Sequence, residues 1–143
     1  MGYESRIIIV DRHEFAGSGE EPYIFAEEIA RVELCKMGYS TNDGMRSFCD
    51  IFKTPIDFNL YGMAERWEYP DKEYPDEHYR EDCYGAVCKY ATIDEVKTWL
   101  ENAKDGYEPA LNYRRAQILY GLLTTLKANE SKFDNLLVVH YGH

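Results

Sequence analysis

Leu136-Leu137-Val138-Val139-His140-Tyr141, close to the end of the chain, and Arg6-Ile7-Ile8-Ile9-Val10, close to its start, decide the fold. Each is a short run of aliphatic, largely β-branched residues without a polar face, the pattern of a strand buried on both sides. Two such strands belong side by side in the centre of one sheet, so the rest of the chain must wrap that pair. Helical patterns precede the last strand. Thr92-Ile93-Asp94-Glu95 is a capping box, in which the Thr92 hydroxyl accepts from the backbone of Glu95 while the Glu95 side chain reaches back. Ile93, Val96, Leu100 and Ala103 then mark one helical face flanked by Trp99, and Asp105-Gly106 is the expected left-handed stop. Pro109 is expected to open a second helix, with Leu111, Ile118, Leu119, Leu122, Leu123 and Leu126 as its stripe and Asn129 as its close.

The first half is read as strands. Tyr23 to Met37 fits two patterns: Ile24, Ala26, Ala30, Val32 and Leu34 alternate at period two, broken at Glu28, whereas Phe25, Ile29 and Val32 fit a helix. A strand over about Ala30–Cys35 is the favoured reading. Phe48–Phe52 is a further candidate strand, stopped by Pro55, and Ile56-Asp57-Phe58-Asn59-Leu60-Tyr61 alternates as a half-buried strand should. Tyr84–Tyr90 resumes extended structure. Gly17–Pro22 and Gly38–Gly44 read as loops. Strands, then two helices, then a strand give an α+β class: a single domain whose mixed or antiparallel sheet has about 5–6 strands, with both helices on one face and a C-terminal strand. At 143 residues and 45% hydrophobic content the chain can bury a core without staples.

Between these elements lies Glu65–Asp82, ERWEYPDKEYPDEHYRED, in which Glu-Tyr-Pro-Asp occurs twice. Eight acids against three bases make it half of the chain's net −10. The prolines push the preceding residues into extended conformations, so the segment reads as a stiff acidic surface excursion with aromatic rings at intervals. Such a segment resembles a nucleic-acid strand electrically. The overall charge argues against direct phosphate contact and against anionic membranes, and favours a basic partner.

The chemistry-bearing residues are sparse. Gly17-Ser18-Gly19 is a weak phosphate-loop signal, discounted because Glu20 and Glu21 follow. His140 lies inside the terminal strand, where a structural role is expected. A Cys-His pair could be drawn from Cys83 or Cys88 with His140, without local support for either. Asp76, Glu77, His78, Glu81 and Asp82 lack the glycine and spacing of a calcium loop and read as a solvated face. Cys35, Cys49, Cys83 and Cys88 contain one close pair only, so reduced thiols and not structural zinc are expected. The polar start of the chain and the lack of a long apolar stretch point to a cytoplasmic protein. One of Arg114 and Arg115 is expected to pack its stem on the acidic segment or on a neighbouring acid.

Met1-Gly2-Tyr3-Glu4-Ser5-Arg6-Ile7-Ile8-Ile9-Val10, the element Asp82-Cys83-Tyr84-Gly85 and the ending Asn135-Leu136-Leu137-Val138-Val139-His140-Tyr141-Gly142 resemble small phage and prophage proteins of Gram-positive bacteria. The resemblance covers most of the chain, transfers no catalytic residue, and leaves the acidic repeat as this chain's own elaboration. It implies a phage origin and, for a small acidic protein, an inhibitor of bacterial defence of the anti-CRISPR kind acting in the host cytoplasm. The expectation is therefore a binding protein and not an enzyme, without cofactor or metal. Its partner would be a basic, nucleic-acid-handling host protein such as a CRISPR effector nuclease. Glu68, Asp71, Glu73, Asp76, Glu77, Glu81 and Asp82 would meet basic side chains, and Trp67, Tyr69, Tyr74 and Tyr79 would act as anchors. The alternative is a homo-oligomer that holds a small nucleotide or signalling molecule in a tyrosine-lined pocket.

Overall fold

Residues 5–16, 23–33, 48–60, 79–82, 85–105 and 107–142 are described by the computed structural model. The chain opens with β1 (Ser5–Phe15) and β2 (Tyr23–Glu33), followed by the short strands β3 (Thr54–Pro55) and β4 (Lys89–Ala91). Helix α1 (Ile93–Asn102) leads into a small hairpin of β5 (Lys104–Asp105) and β6 (Glu108–Pro109). Helix α2 (Arg114–Ala128) and β7 (Leu136–Gly142) complete it. The result is α+β: a five-stranded sheet in the order β2-β1-β7-β4-β3, with every described pairing antiparallel.

β7 lies in the middle and pairs with β1 from Ser5↔Gly142 to Asp11↔Leu136, as two strands without polar faces require. Alternate residues of β1 then serve two cores. Ile7 and Ile9 join Val138 beneath the helices, together with Ile93, Val96, Leu100, Leu119 and Leu123. Ile8 and Val10 join Leu137, Val139 and Tyr141 on the opposite face. Both helices thus pack on one face. The capping box forms as read, with Glu95 N donating to Thr92 Oγ1 at 3.1 Å and Thr92 N donating to Glu95 Oε1 at 3.3 Å. Arg115 donates to the Glu33 carbonyl at 3.2 Å, so one member of the basic pair does reach a neighbouring acid.

The ambiguous stretch after Tyr23 is a strand, and its broken alternation has a cause. Ile9 pairs with Ala30 but Val10 pairs with Glu28, so one extra residue is inserted in β2 as a bulge. The insertion reverses the parity of the strand. Ala26 therefore belongs to the core on the helix-free face, with Ile24 packed against it, while Ala30 and Val32 pack under the helices. What looks like one apolar face in the sequence is two half-faces. The strand starts at Tyr23, earlier than the favoured Ala30.

Four further expectations are corrected. Phe48 and Cys49 are helical and not extended; Phe48 and Phe52 stack at 5.3 Å and fill the core beside Trp99. Ile56–Leu60 alternates in burial as expected but enters no ladder; its apolar side chains cover the helix-free face of the sheet. Helix α1 ends at Asn102 on an extended Ala103, not in a left-handed stop, and Gly106 lies outside the described residues. Pro109 sits in β6 and leads a 3-10 turn over Ala110–Asn112, so α2 starts only at Arg114. Within α2, Ile118 is 63% exposed and Leu122 half-buried, whereas Leu119 and Leu123 are fully buried. The loops read at 17–22 and 38–44 lie outside the described residues.

Candidate functional site

The described residues on either side of the acidic segment, Leu60 and Tyr79, meet at one point. Ile56, Phe58 and Leu60 seat the outgoing segment on the helix-free core. Leu60 N donates to the Tyr79 carbonyl at 2.9 Å, and Arg80 Nε donates to Asn59 Oδ1 at 2.9 Å. The returning segment is held in turn by Cys88 N donating to the Arg80 carbonyl at 2.7 Å. Arg12 clamps the base from β1, with Nε and Nη2 donating to the two Asp57 carboxylate oxygens at 2.9 and 2.7 Å. This fork-on-fork pair lowers the Asp57 pKa, chiefly through the hydrogen bonds from Arg12.

Trp67, Glu68, Tyr69, Asp71, Glu73, Tyr74, Asp76 and Glu77 lie outside the described residues. Tyr79 is half-buried and forms the stem through its carbonyl. Glu81 is half-buried and bridges to Val87 across a turn. Asp82 is 5% exposed and its carboxylate accepts from Ala86 N at 3.0 Å, so it builds that turn. Gly85, with φ 84°, supplies the left-handed residue the turn needs.

Of the two cysteines considered for a Cys-His pair, only Cys88 is described, and it is not placed with His140. Cys88 belongs to the core on the far side of the sheet, and Cys83 lies outside the described residues. Instead Cys49 Sγ stands 3.7 Å from His140 Nε2. His140 is only 8% exposed, with the Phe52 ring centroid at 5.1 Å and that of Phe48 at 6.2 Å. The histidine completes the core beneath the helices, in keeping with a structural role.

A second cluster forms where β1 runs past the end of β7. Asp11, His13 and Glu27 share the helix-side face there, with one ligating atom from each within 4.8 Å of the others. Asp11 is buried, and its carboxylate accepts from Asp134 N at 3.0 Å and Asn135 N at 2.8 Å. His13 Nδ1 lies 2.6 Å from Asp134 Oδ2, and its Nε2 lies 3.4 Å from Asp11 Oδ2. The hydrogen bond to Asp134 is the main reason the His13 pKa is raised, with the charges of Asp11, Asp134 and Glu27 adding to it. None of these residues stood out in the sequence. The available signal was the i, i+2 pair Asp11 and His13 on one face of a strand. Beside this cluster a cleft of about 390 Å³ is lined by residues that include Thr92, Asp94, Lys127, Glu130 and Asp134. Lys127 spans it, 3.1 Å from Asp94 and 3.0 Å from Glu130.

No family model, no curated protein and no solved structure matches the chain. No helix among the described residues is long and apolar enough to cross a membrane.

Proposed function

We propose that this is a binding protein that docks its acidic, aromatic excursion on a basic, nucleic-acid-handling protein. The resemblance to small phage proteins makes a bacterial defence nuclease of the CRISPR type the class of partner, and inhibition by occupying its nucleic-acid groove the mode of action. The observation that carries this reading is the pinched stem, in which Leu60 N donates to the Tyr79 carbonyl. The described residues that flank 61–78 are thereby tied together, and positions 61–78 hold most of the acids and rings of the repeat. Presentation from a fixed base lowers the ordering cost of docking.

The test uses the whole chain as bait in bacterial lysate, beside a variant in which Tyr69–Tyr74 is replaced by a Gly/Ser linker. The wild type should capture a basic nucleic-acid-binding protein, and that protein should no longer bind its nucleic acid while captured. Capture should weaken as salt rises, because association between opposite charges is screened. A linker variant that captures the same protein equally well would refute the reading. Ultraviolet-absorbing material released from the purified protein on denaturation would point to the nucleotide-binding alternative.

A further inference from the structure

We propose that Asp11, His13 and Glu27 form a binding site for a first-row divalent cation of the zinc type, with Asp134 as the residue that positions the histidine. The observations are independent of the acidic excursion. Asp11 and Glu27 stand directly opposite each other in the β1–β2 ladder. Like charges in that relation are destabilising, the more so because Asp11 is 3% exposed. A cation between them removes the conflict.

The orientation of the imidazole fits this. Asp134 takes the Nδ1 side at 2.6 Å, which turns Nε2 toward the two carboxylates. A histidine that ligates a metal commonly gives its other ring N–H to a carboxylate, which fixes its tautomer and raises its basicity. The contact between Nε2 and Asp11 Oδ2, at 3.4 Å, is longer than a normal N–H···O bond, so that side of the ring is not closed by a short hydrogen bond. Asp11 is itself aimed by the backbone N–H groups of Asp134 and Asn135.

One imidazole nitrogen and two carboxylate oxygens select the cation class. Calcium and magnesium prefer all-oxygen shells, whereas zinc and its neighbours take mixed nitrogen and oxygen donors. Three protein ligands leave at least one position for water or an anion, the pattern of an open site. Glu27 is exposed, so that position faces solvent.

The experiment is calorimetric titration of the metal-stripped full chain with Zn²⁺, with Mg²⁺ as the comparison ion. Wild type should bind one Zn²⁺ at this site in preference to Mg²⁺. His13→Gln and Glu27→Gln should abolish that binding, and Asp134→Asn should weaken it by about 10–100-fold. Asp11 is left unchanged, since its carboxylate also holds the turn before β7. Cys49→Ser should titrate as wild type, which separates this site from the Cys49–His140 contact. Melts without metal establish that each variant is folded. In ¹⁵N spectra of the imidazoles, Zn²⁺ should move Nε2 of His13 far more than Nδ1. Absence of Zn²⁺ binding by the wild type, or full binding retained by both His13→Gln and Glu27→Gln, would overturn the proposal.

Discussion

Removing the ring of Phe58 tests how the helix-free face of the sheet is covered. Phe58 is 1% exposed and lies with Ile56 and Leu60 against Ile8, Val10 and Val139, yet the segment that carries it is not hydrogen-bonded into the sheet as a strand. Its hold on the domain is therefore packing together with the Arg12–Asp57 pair and two backbone hydrogen bonds, Ile56 N to the Cys88 carbonyl at 3.0 Å and Leu60 N to the Tyr79 carbonyl at 2.9 Å. A fully buried Phe→Ala change costs about 3–5 kcal/mol, from lost transfer energy and the cavity left behind. Unfolding entropy near the midpoint is about 2.1 cal/mol/K per residue, which makes about 0.3 kcal/mol/K for a chain of 143 residues. Phe58→Ala should then lower Tm by about 10–17 °C in differential scanning calorimetry. Phe58→Leu keeps most of the volume and should lose no more than about 5 °C. A drop of less than about 2 °C for Phe58→Ala would mean that Ile56–Leu60 does not cover this face. The fixed stem of the excursion would then fall with it.

On α2, Leu123→Ala should cost about 2.7–5 kcal/mol in urea unfolding, because Leu123 is fully buried, while Ile118→Ala should stay within about 0.5 kcal/mol because Ile118 is 63% exposed. Equal losses at the two positions would mean that the helix presents a different face to the sheet. Acid should dissolve the Arg12–Asp57 clamp: the Asp57 pKa is lowered in the fold, so its contribution is present above the ordinary carboxylate pKa and fades as pH falls through the lowered one. The Tm gap between wild type and Asp57→Asn should therefore narrow from pH 7 to about pH 3, and a gap that stays constant would show that the pair adds nothing.

What the sequence disclosed and what it hid divide along physical lines. Ile7–Val10, Leu136–Tyr141 and the Thr92–Glu95 capping box are local signals, and each settles its own element within a few residues. Period two is a local signal as well, but it records only that alternate side chains are buried. Ile56, Phe58 and Leu60 carry the same pattern in a segment that lies over the sheet as in one paired within it. The bulge in β2 was visible only as a fault in the alternation at Glu28, and the strand was underestimated for that reason. Phe48 and Phe52 looked like strand residues because aromatic side chains favour strands, yet their spacing also suits one helical turn packed on His140. The His13 cluster was out of reach for a different reason. Asp134 lies 121 positions from His13, and only the central placement of β7 brings the turn before it alongside β1.

That placement gives the outer end of β1 two tasks on opposite faces. Beyond Asp11, which pairs with Leu136, β1 has passed the last residue of β7 that pairs with it. Pleating sends Asp11 and His13 to the helix side, where they meet Glu27 and Asp134, and sends Arg12 to the other side, where it grips Asp57. Both charged arrangements hang on four consecutive residues of one strand, Asp11-Arg12-His13-Glu14, in which two bases stand between two acids. Arg12 and His13 each find a counter-charge, Asp57 and Asp134, on an element that arrives from elsewhere in the chain. The proposed cation site and the stem of the proposed docking excursion are thus neighbours through the backbone of β1, although they lie on different faces of the sheet and rest on separate observations.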